Sequence, residues 1–151
     1  MGTIGRQASR IVRRSRVVLV ATLSPTERPF MTPLYFVRDR GVVYLTSGTQ
    51  SWSGRNVAGH PDVTLLFGGE RAAAPGPVAR LRGRASCETG PMPRRVLGRL
   101  VLKYYLAPGA LAAELSHVAL WQRRRRYRSQ GTGGAGYLRV VPTSAELLPR
   151  P

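Results

Sequence analysis

The sequence is poor in cysteine, lysine and acidic residues: it has one cysteine, one lysine and seven acids among 151 residues. A single thiol, Cys87, excludes a fold held together by internal disulfides. No apolar run approaches the roughly 20 residues that a membrane-spanning helix needs. We therefore expect a cytoplasmic protein with no membrane partner.

The scarcity of histidine and carboxylate groups restricts the chemistry that the side chains supply. His60 precedes a proline at a predicted helix end, and His117 lies within a predicted helix, so with Cys87 they form no zinc-site spacing. The acids form no obvious carboxylate pair, and no GxxxxGK[ST] phosphate loop occurs. We therefore assign no catalytic residue and no metal site from the sequence.

Arginine is abundant, and the formal net charge is +17. Twenty-three of the 24 basic residues are arginine, which is typical of a GC-rich genome, but the shortage of acids has no such explanation. A strongly positive chain attracts anionic ligands or nucleic acid. Arg123 to Arg126 form a basic patch that suits nucleic acid, or simply a helix C-terminus. Residues 1–16 are predicted to be an Arg-rich tail or helix.

Hydrophobic patterning predicts six short strands. The predicted strands are Val17–Leu23, Phe30–Val37, Val42–Thr46, Asp62–Phe67, Val78–Cys87, and Tyr137–Val141 with a continuation at Ala145–Leu148 after Pro142. Pro33 implies an edge position or a bulge, because proline cannot donate to a ladder. Asp39 to Gly41 is predicted to form a tight hairpin turn.

Three helices are predicted, namely a short one at Ser51–Gly59, one near Met92–Leu106, and one from Pro108 to about Tyr127. Strands and helices do not alternate regularly, which argues against a parallel α/β fold. We expect a mainly β fold with α (α+β): an antiparallel split β-barrel with two appended helices. Residues 17–151 would form this single domain, with a helical insert at about 91–128.

The segment from Thr46 to Asn56 is the strongest candidate site. It leaves a strand and enters a short helix, so that hydroxyls, backbone N–H groups and Arg55 meet at a helix N-terminus, which favours anions. Either a phosphate cradle or an ordinary Ser/Thr helix cap fits this pattern.

Several of these segments together resemble the pyridoxamine 5′-phosphate oxidase-like superfamily, whose fold is a flavin-binding split barrel. The segments that carry the resemblance are Ala21–Leu23, Arg28–Pro29 with Thr32–Phe36, Tyr44–Ser47, Arg55–Val57 with His60–Leu65, and Gly136–Pro142 followed by Glu146. The resemblance spans about residues 17–67 and 136–149. It implies a flavin- or deazaflavin-dependent reductase that transfers a hydride to a small organic substrate.

The resemblance also implies residue roles. The backbone around Thr32, Pro33, Leu34 and Tyr35 would flank the flavin ring. The cofactor phosphate would be held by Thr46, Ser47, Thr49, Ser51, Arg55 and Asn56. Because the family's sites lie at a two-fold interface, we expect a homodimer, in which Arg80, Arg82, Arg84, Tyr104 or Trp121 would reach the neighbouring cofactor or serve only surface and packing roles.

Two departures from the family bear on function. Ser53 stands where the family usually has lysine, so either Arg55 or a tail arginine supplies that charge, or the cofactor binds weakly. The oxidase continues beyond the closing glutamate into an Arg/His tail, whereas this sequence ends at Pro151. We therefore expect an activity other than vitamin-B6 oxidation.

The cofactor is expected to be coenzyme F420, a deazaflavin, with FMN as the other choice. The polyglutamate tail of F420 suits the positive charge, and the spacing of Trp52 and Asn56 resembles that of deazaflavin-dependent nitroreductases. A nucleic-acid-binding module is the alternative function, less favoured because no stacking motif or helix-turn-helix accompanies the basic patch. A protein that binds the cofactor without turnover is a further alternative.

Overall fold

A computed structural model describes residues 5–69, 76–106 and 136–149. Six antiparallel strands close into a barrel in the order β1-β2-β3-β6-β5-β4. The strands are β1 (Val17–Leu23), β2 (Pro29–Asp39), β3 (Val42–Leu45), β4 (Asp62–Phe67), β5 (Val78–Glu88) and β6 (Tyr137–Leu148). The predicted mainly β barrel is therefore confirmed, and two of its strands, β1 and β4, have the predicted bounds.

The barrel interior is filled by the inward-facing residues of alternating strands. In β1, Val18 and Val20 are fully buried, whereas their neighbours are half-buried. In β5, Leu81 and Ala85 face the core, while Arg82 and Arg84 point to solvent. Each fully buried aliphatic side chain stabilises the fold by about 1.5–3 kcal/mol relative to exposure.

Helix α1 (Arg6–Arg14) packs against the barrel through one apolar stripe. Ala8 and Val12, four residues apart, are both buried in the main core. The helix ends at Ser15, whose hydroxyl and N–H both donate to the carbonyl of Ile11. The basic N-terminal segment therefore contributes a packed helix to the core.

Helix α3 (Arg94–Val101) covers the outer face of β2 and continues into a π-helical segment, Leu102–Leu106. Val37, Val96 and Tyr104 form a second buried cluster there. The Tyr104 hydroxyl accepts from the Phe36 N–H and lies within hydrogen-bond distance of the Arg16 carbonyl (2.6 Å) and the Phe36 carbonyl (2.8 Å). This buried phenol thus connects the π-helical segment to β2 and to Arg16, the residue before β1.

The β2–β3 hairpin has the predicted tight turn. Arg40 and Gly41 both have positive φ, at 49° and 82°, which a two-residue turn of the primed type requires. Asp39 pairs with Val42 across this turn. Pro33 lies where β2 pairs with β1 alone, because β3 pairs only with Phe36 to Asp39. Its missing N–H therefore removes no ladder hydrogen bond on the β3 side.

The prediction that Pro142 interrupts the last strand is wrong. Strand β6 runs from Tyr137 to Leu148, and its register with β5 shifts beside the proline: Arg82 pairs with Ser144 and Gly83 with Pro142, so Thr143 is one extra residue in β6. The bulge accommodates the missing proline N–H. Gly83 has no side chain at this point, and a Cβ there would lie 2.6 Å from the Val141 carbonyl oxygen.

Four expectations from the sequence lie outside the described residues. The second predicted helix, Pro108 to about Tyr127, falls there, together with His117, Trp121 and the Arg123–Arg126 patch. In the part of the chain that the structure describes, no helix is long and apolar enough to cross a membrane.

Candidate cofactor site

The candidate site begins where the chain leaves β3. The Thr46 N–H donates to the Tyr35 carbonyl at 3.0 Å, and the Thr46 hydroxyl donates to the same oxygen at 3.3 Å. These contacts fix the start of the loop to β2. Two predicted site residues from different strands are thereby brought together.

Ser51 is the N-cap of helix α2 (Trp52–Gly59). Its hydroxyl oxygen accepts from the Gly54 N–H at 3.0 Å, and its proton donates to the Gly48 carbonyl at 2.7 Å. Ser47 Oγ lies 2.6 Å from Ser51 Oγ. Because the Ser51 proton is used by Gly48, we assign Ser47 as the donor of that bond. The Ser/Thr-rich loop therefore does cap the helix.

Capping still leaves anion-binding capacity at this helix end. The N–H groups of Trp52 and Ser53 precede the first intrahelical hydrogen bond, which runs from the Arg55 N–H to the Ser51 carbonyl at 2.9 Å. Such N–H groups and the helix dipole favour an anion at this position. No acidic residue lies in the first turn of α2 to compete with it.

Gly54 determines how closely the loop lies against the helix. A Cβ at this position would be 2.5 Å from the Gly48 carbonyl oxygen and 3.0 Å from the Thr49 carbonyl oxygen. The loop backbone thus occupies the space that a side chain would fill. This close packing keeps the loop hydroxyls on the first turn of α2.

Arg55 and Trp52 form the exposed side of the site. The Arg55 Nε–H donates to the Gln50 carbonyl at 3.1 Å, and the guanidinium carbon lies 4.8 Å from the Trp52 ring centroid. Trp52 is 63% exposed and stacks on Phe30, with centroids 5.9 Å apart and an interplanar angle of 4°. A cation thus lies against an accessible aromatic pair at the helix N-terminus.

Asn56 is buried on the opposite side of α2. Its side-chain amide donates to the Thr22 hydroxyl at 3.0 Å, and the two residues are 1% and 2% exposed. Ser53 is likewise buried, at 2% exposure. The position that usually carries the family lysine therefore faces the protein interior here. Arg55 is the predicted phosphate residue in this helix that is both charged and exposed.

The remaining predicted residues lie around this centre. Thr32, Pro33 and Leu34 pair with β1, and Tyr35 packs outward against the Tyr104 ring at 4.8 Å. Thr49 is half-buried. Its methyl carbon lies close to Gly136, since a Cβ added to that glycine would be 3.0 Å from it. The start of β6 therefore lies beside the loop. The cofactor roles of these residues remain predictions.

Some residues were predicted to reach the cofactor of a neighbouring subunit, and they differ in exposure and in the contacts they already make. Arg80 forms an ion pair with Glu146 at 2.6 Å. Arg82 and Arg84 are exposed, whereas Tyr104 is buried and uses its hydroxyl within the fold. Trp121 lies outside the described residues.

Sequence reasoning missed two groups near the site. The sequence places Phe30 in a predicted strand, and no local pattern indicates that its ring stacks on Trp52, which lies 22 positions away. Tyr137 lies next to the loop, with its ring 6.0 Å from that of Tyr44. Partial burial, followed by the Glu88 carboxylate, raises the pKa of the Tyr137 phenol. The strand alternation could have placed Tyr137 on this outer face.

Solved structures similar to this chain share its fold at low sequence identity. A candidate pyridoxamine 5′-phosphate oxidase from Listeria innocua has a TM-score of 0.59 and 18% identity, covering 95% of this chain and 97% of its own. An F420 reductase has a TM-score of 0.63 and 18% identity, with 95% and 98% covered. The heme storage protein HutZ from Vibrio cholerae has a TM-score of 0.63 and 13% identity, with 96% and 93% covered.

Comparison of the sequence with protein-family models identifies the family, whereas the similar structures show only the fold. No curated protein sequence matches the chain. The family model described as pyridoxamine 5′-phosphate oxidase matches residues 4–122, which is more than half of the sequence. The matched region includes α1, the first five strands and the whole loop before α2. The chain therefore belongs to the pyridoxamine 5′-phosphate oxidase family.

Proposed function

We propose that the chain binds a flavin-type cofactor at the N-terminus of α2 and acts as an oxidoreductase on a small organic substrate. The observation that carries this proposal is the exposed Arg55 at a capped helix N-terminus beside the Trp52–Phe30 stack. The arrangement offers a cation and N–H donors for a phosphate, next to an aromatic surface. Such a combination suits a phosphate-bearing ring system.

The cofactor phosphate would be bound by donors from the loop and the helix. The Arg55 Nε–H donates a hydrogen bond to the Gln50 carbonyl. This bond orients the guanidinium while the side chain stays exposed. The Trp52 and Ser53 N–H groups supply further donors. Ser47 and Ser51 hold the loop, and the Ser47 proton is available if it turns away from Ser51. The residues present therefore fit an anion without the family lysine.

The ring would lie against β2, where the resemblance places Thr32 to Tyr35. Phe30, at the start of this strand, is 38% exposed and stacks on Trp52, which is more exposed still. This apolar surface lies beside the phosphate site. We propose that a second copy of the chain covers it in a homodimer and completes the cofactor site.

Coenzyme F420 is the favoured cofactor, and FMN is the alternative. The net charge of +17 suits the additional carboxylates of F420. An F420 reductase is among the similar structures, which supports the same choice. When bound, either cofactor supplies hydride transfer, while the chain binds and orients it and excludes water. The substrate would enter over the exposed ring face.

A side-by-side titration with F420 and FMN tests this function. Trp52 lies in the site, so its fluorescence should respond to binding, and Trp52→Phe controls for the signal of Trp121. A buried cofactor site predicts binding that changes little between about 50 and 200 mM salt, whereas nucleic-acid binding is steeply salt-dependent. Failure of both cofactors to bind would contradict the proposal.

Turnover separates the reductase from a protein that only holds its cofactor. With the bound cofactor reduced, addition of nitroaromatic or quinone substrates should reoxidise it faster than the same cofactor free in buffer. Equal rates with and without the protein would favour the non-catalytic alternative.

A further inference from the structure

We propose that a cationic cleft, separate from the cofactor site, binds a small organic polyanion with the chemistry of a nucleoside diphosphate. The cleft has a volume of about 1070 Å³ and lies between α1, the β2–β3 hairpin and α3. Binding sites for small molecules are typically cavities of roughly 300–1,000 Å³. The size therefore suits one small molecule.

Helix α1 lines one side of the cleft with three arginines. Arg6, Arg10 and Arg13 recur at spacings of four and three residues, so they project from one face of the helix. Ala8 and Val12 hold the helix to the barrel core. Because packing fixes the helix, the arginines keep their place at the cleft without an acidic partner from the cleft lining.

The other sides add four more cations. Arg38 and Arg40 come from the β2–β3 hairpin, and Arg99 and Lys103 come from α3 and the π-helical segment. Among the described residues that line the cleft, none is acidic. Like charges held together repel one another unless an anion is present. The cleft thus combines charge from three separate elements.

Arg38 gives independent support for a ligand. Its Nη1 donates to the Ser9 hydroxyl at 3.2 Å, which holds the side chain against α1. Its Nε is buried and has no hydrogen-bond partner among the described residues. A buried charged donor without an acceptor is costly. A phosphate or carboxylate oxygen in the cleft would supply that acceptor.

Asp39 balances only part of this charge. Its buried Oδ1 lies 3.2 Å from Arg99 Nε and 3.4 Å from Arg95 Nε, as ion pairs without hydrogen-bond geometry. No other ion pair between described residues involves a cation that lines the cleft. The arginines of α1 and the hairpin therefore remain to attract a ligand. Arginine suits phosphate and carboxylate because its planar donors bind two oxygens at once.

The lining also has apolar residues, namely Val12, Phe36 and Val37, which are buried, and Leu102, which is 61% exposed. A ligand that is only inorganic phosphate would leave the Leu102 side chain uncovered. We therefore commit to a molecule with at least two anionic groups and an apolar or aromatic ring. None of the ten predicted cofactor residues lines the cleft. The two sites should bind their ligands independently.

ADP is the probe, with adenosine as the uncharged comparison, and calorimetry on the full chain gives the dissociation constants. The double variant Arg10→Gln/Arg13→Gln should raise the ADP constant by about tenfold or more, as expected for losing hydrogen bonds from charged groups. Arg38→Gln should do the same. Arg28→Gln removes one exposed arginine outside the cleft. This control should change the ADP dissociation constant by less than about twofold. Adenosine should bind more weakly than ADP by about tenfold or more.

Two further arms keep the proposal falsifiable. Arg55→Ala should leave ADP binding unchanged, and loss of binding in that variant would place ADP in the cofactor site and overturn the proposal. If a short DNA duplex binds where ADP does not, and if the double variant abolishes that DNA binding, the proposal is also overturned. Because Arg10 and Arg13 are exposed and glutamine favours helix, the double variant should keep its thermal midpoint.

Discussion

The side-chain amide of Asn56 donates to the Thr22 hydroxyl at 3.0 Å, and this buried contact joins α2 to β1 beneath the candidate site. Asn56→Ala removes the donor and leaves the Thr22 hydroxyl buried without it. The free energy of unfolding should fall by about 1–3 kcal/mol. Urea denaturation measures this, and Arg55→Ala at the next, exposed position should stay within about 0.5 kcal/mol of the wild type. Equal effects of the two substitutions would refute a structural role for Asn56.

Gly54 should tolerate no side chain. Gly54→Ala places a Cβ 2.5 Å from the Gly48 carbonyl oxygen, so the loop must move despite the better helix propensity of alanine. We expect a loss of about 1–3 kcal/mol in unfolding free energy. Gly59→Ala is the matched control, because a Cβ there meets nothing within 4 Å. A stability gain at both positions would show that the loop does not depend on Gly54.

Phe30 tests the proposed interface. It is 38% exposed on β2 and stacks on Trp52. Phe30→Arg introduces a charge into this apolar surface and should convert a dimer to a monomer, because an unpaired charge is costly to bury. Light scattering after gel filtration measures the mass. The exposed Arg94→Glu on α3 serves as a control and should leave the mass unchanged. A wild-type monomer at the concentration used would rule out the homodimer.

Cys87 should react slowly with alkylating agents at neutral pH. Burial, and secondly the Glu88 carboxylate, raise the pKa of the Cys87 thiol. The midpoint of its alkylation rate against pH should exceed that of a cysteine peptide, and Glu88→Gln should lower it. Because the unfolded chain ionises first, this group's contribution to stability is lost as the pH rises from the ordinary thiol pKa through the raised one. A midpoint at or below the peptide value would disprove the burial effect.

The sequence predicted the barrel well because burial alternates with a period of two residues in β1, β3, β4 and most of β5. Val17–Leu23 and Asp62–Phe67 have a short apolar pattern bounded by turn residues, so their limits follow directly. Pro142 does not end its strand, because Thr143 directly after it forms a bulge opposite Arg82 and Gly83 and the ladder continues beyond that point. Whether a proline ends a strand or lies at a bulge depends on the pairing with the neighbouring strand, which the local sequence does not show.

The candidate site was predictable only in part. The cap at Ser51 follows from local residue preferences, and the structure confirms it. Which helix residues face outward does not follow from those preferences. Asn56 and Ser53 are buried and Arg55 is exposed because α2 packs on β1, a contact between segments far apart in sequence. The cationic cleft was likewise invisible, since its arginines come from three elements.

We propose that Arg55 and the α2 N-terminus hold a flavin-type cofactor. The direct measurement is the dissociation constant of F420 and of FMN for the wild type and Arg55→Ala, with Arg28→Gln as a charge-matched control. We predict that one cofactor binds tightly and that Arg55→Ala weakens it by about 1.5–3 kcal/mol, the range for a hydrogen bond to a charged group. Arg28→Gln should leave it unchanged. Equal affinity in the wild type and Arg55→Ala would contradict the claim.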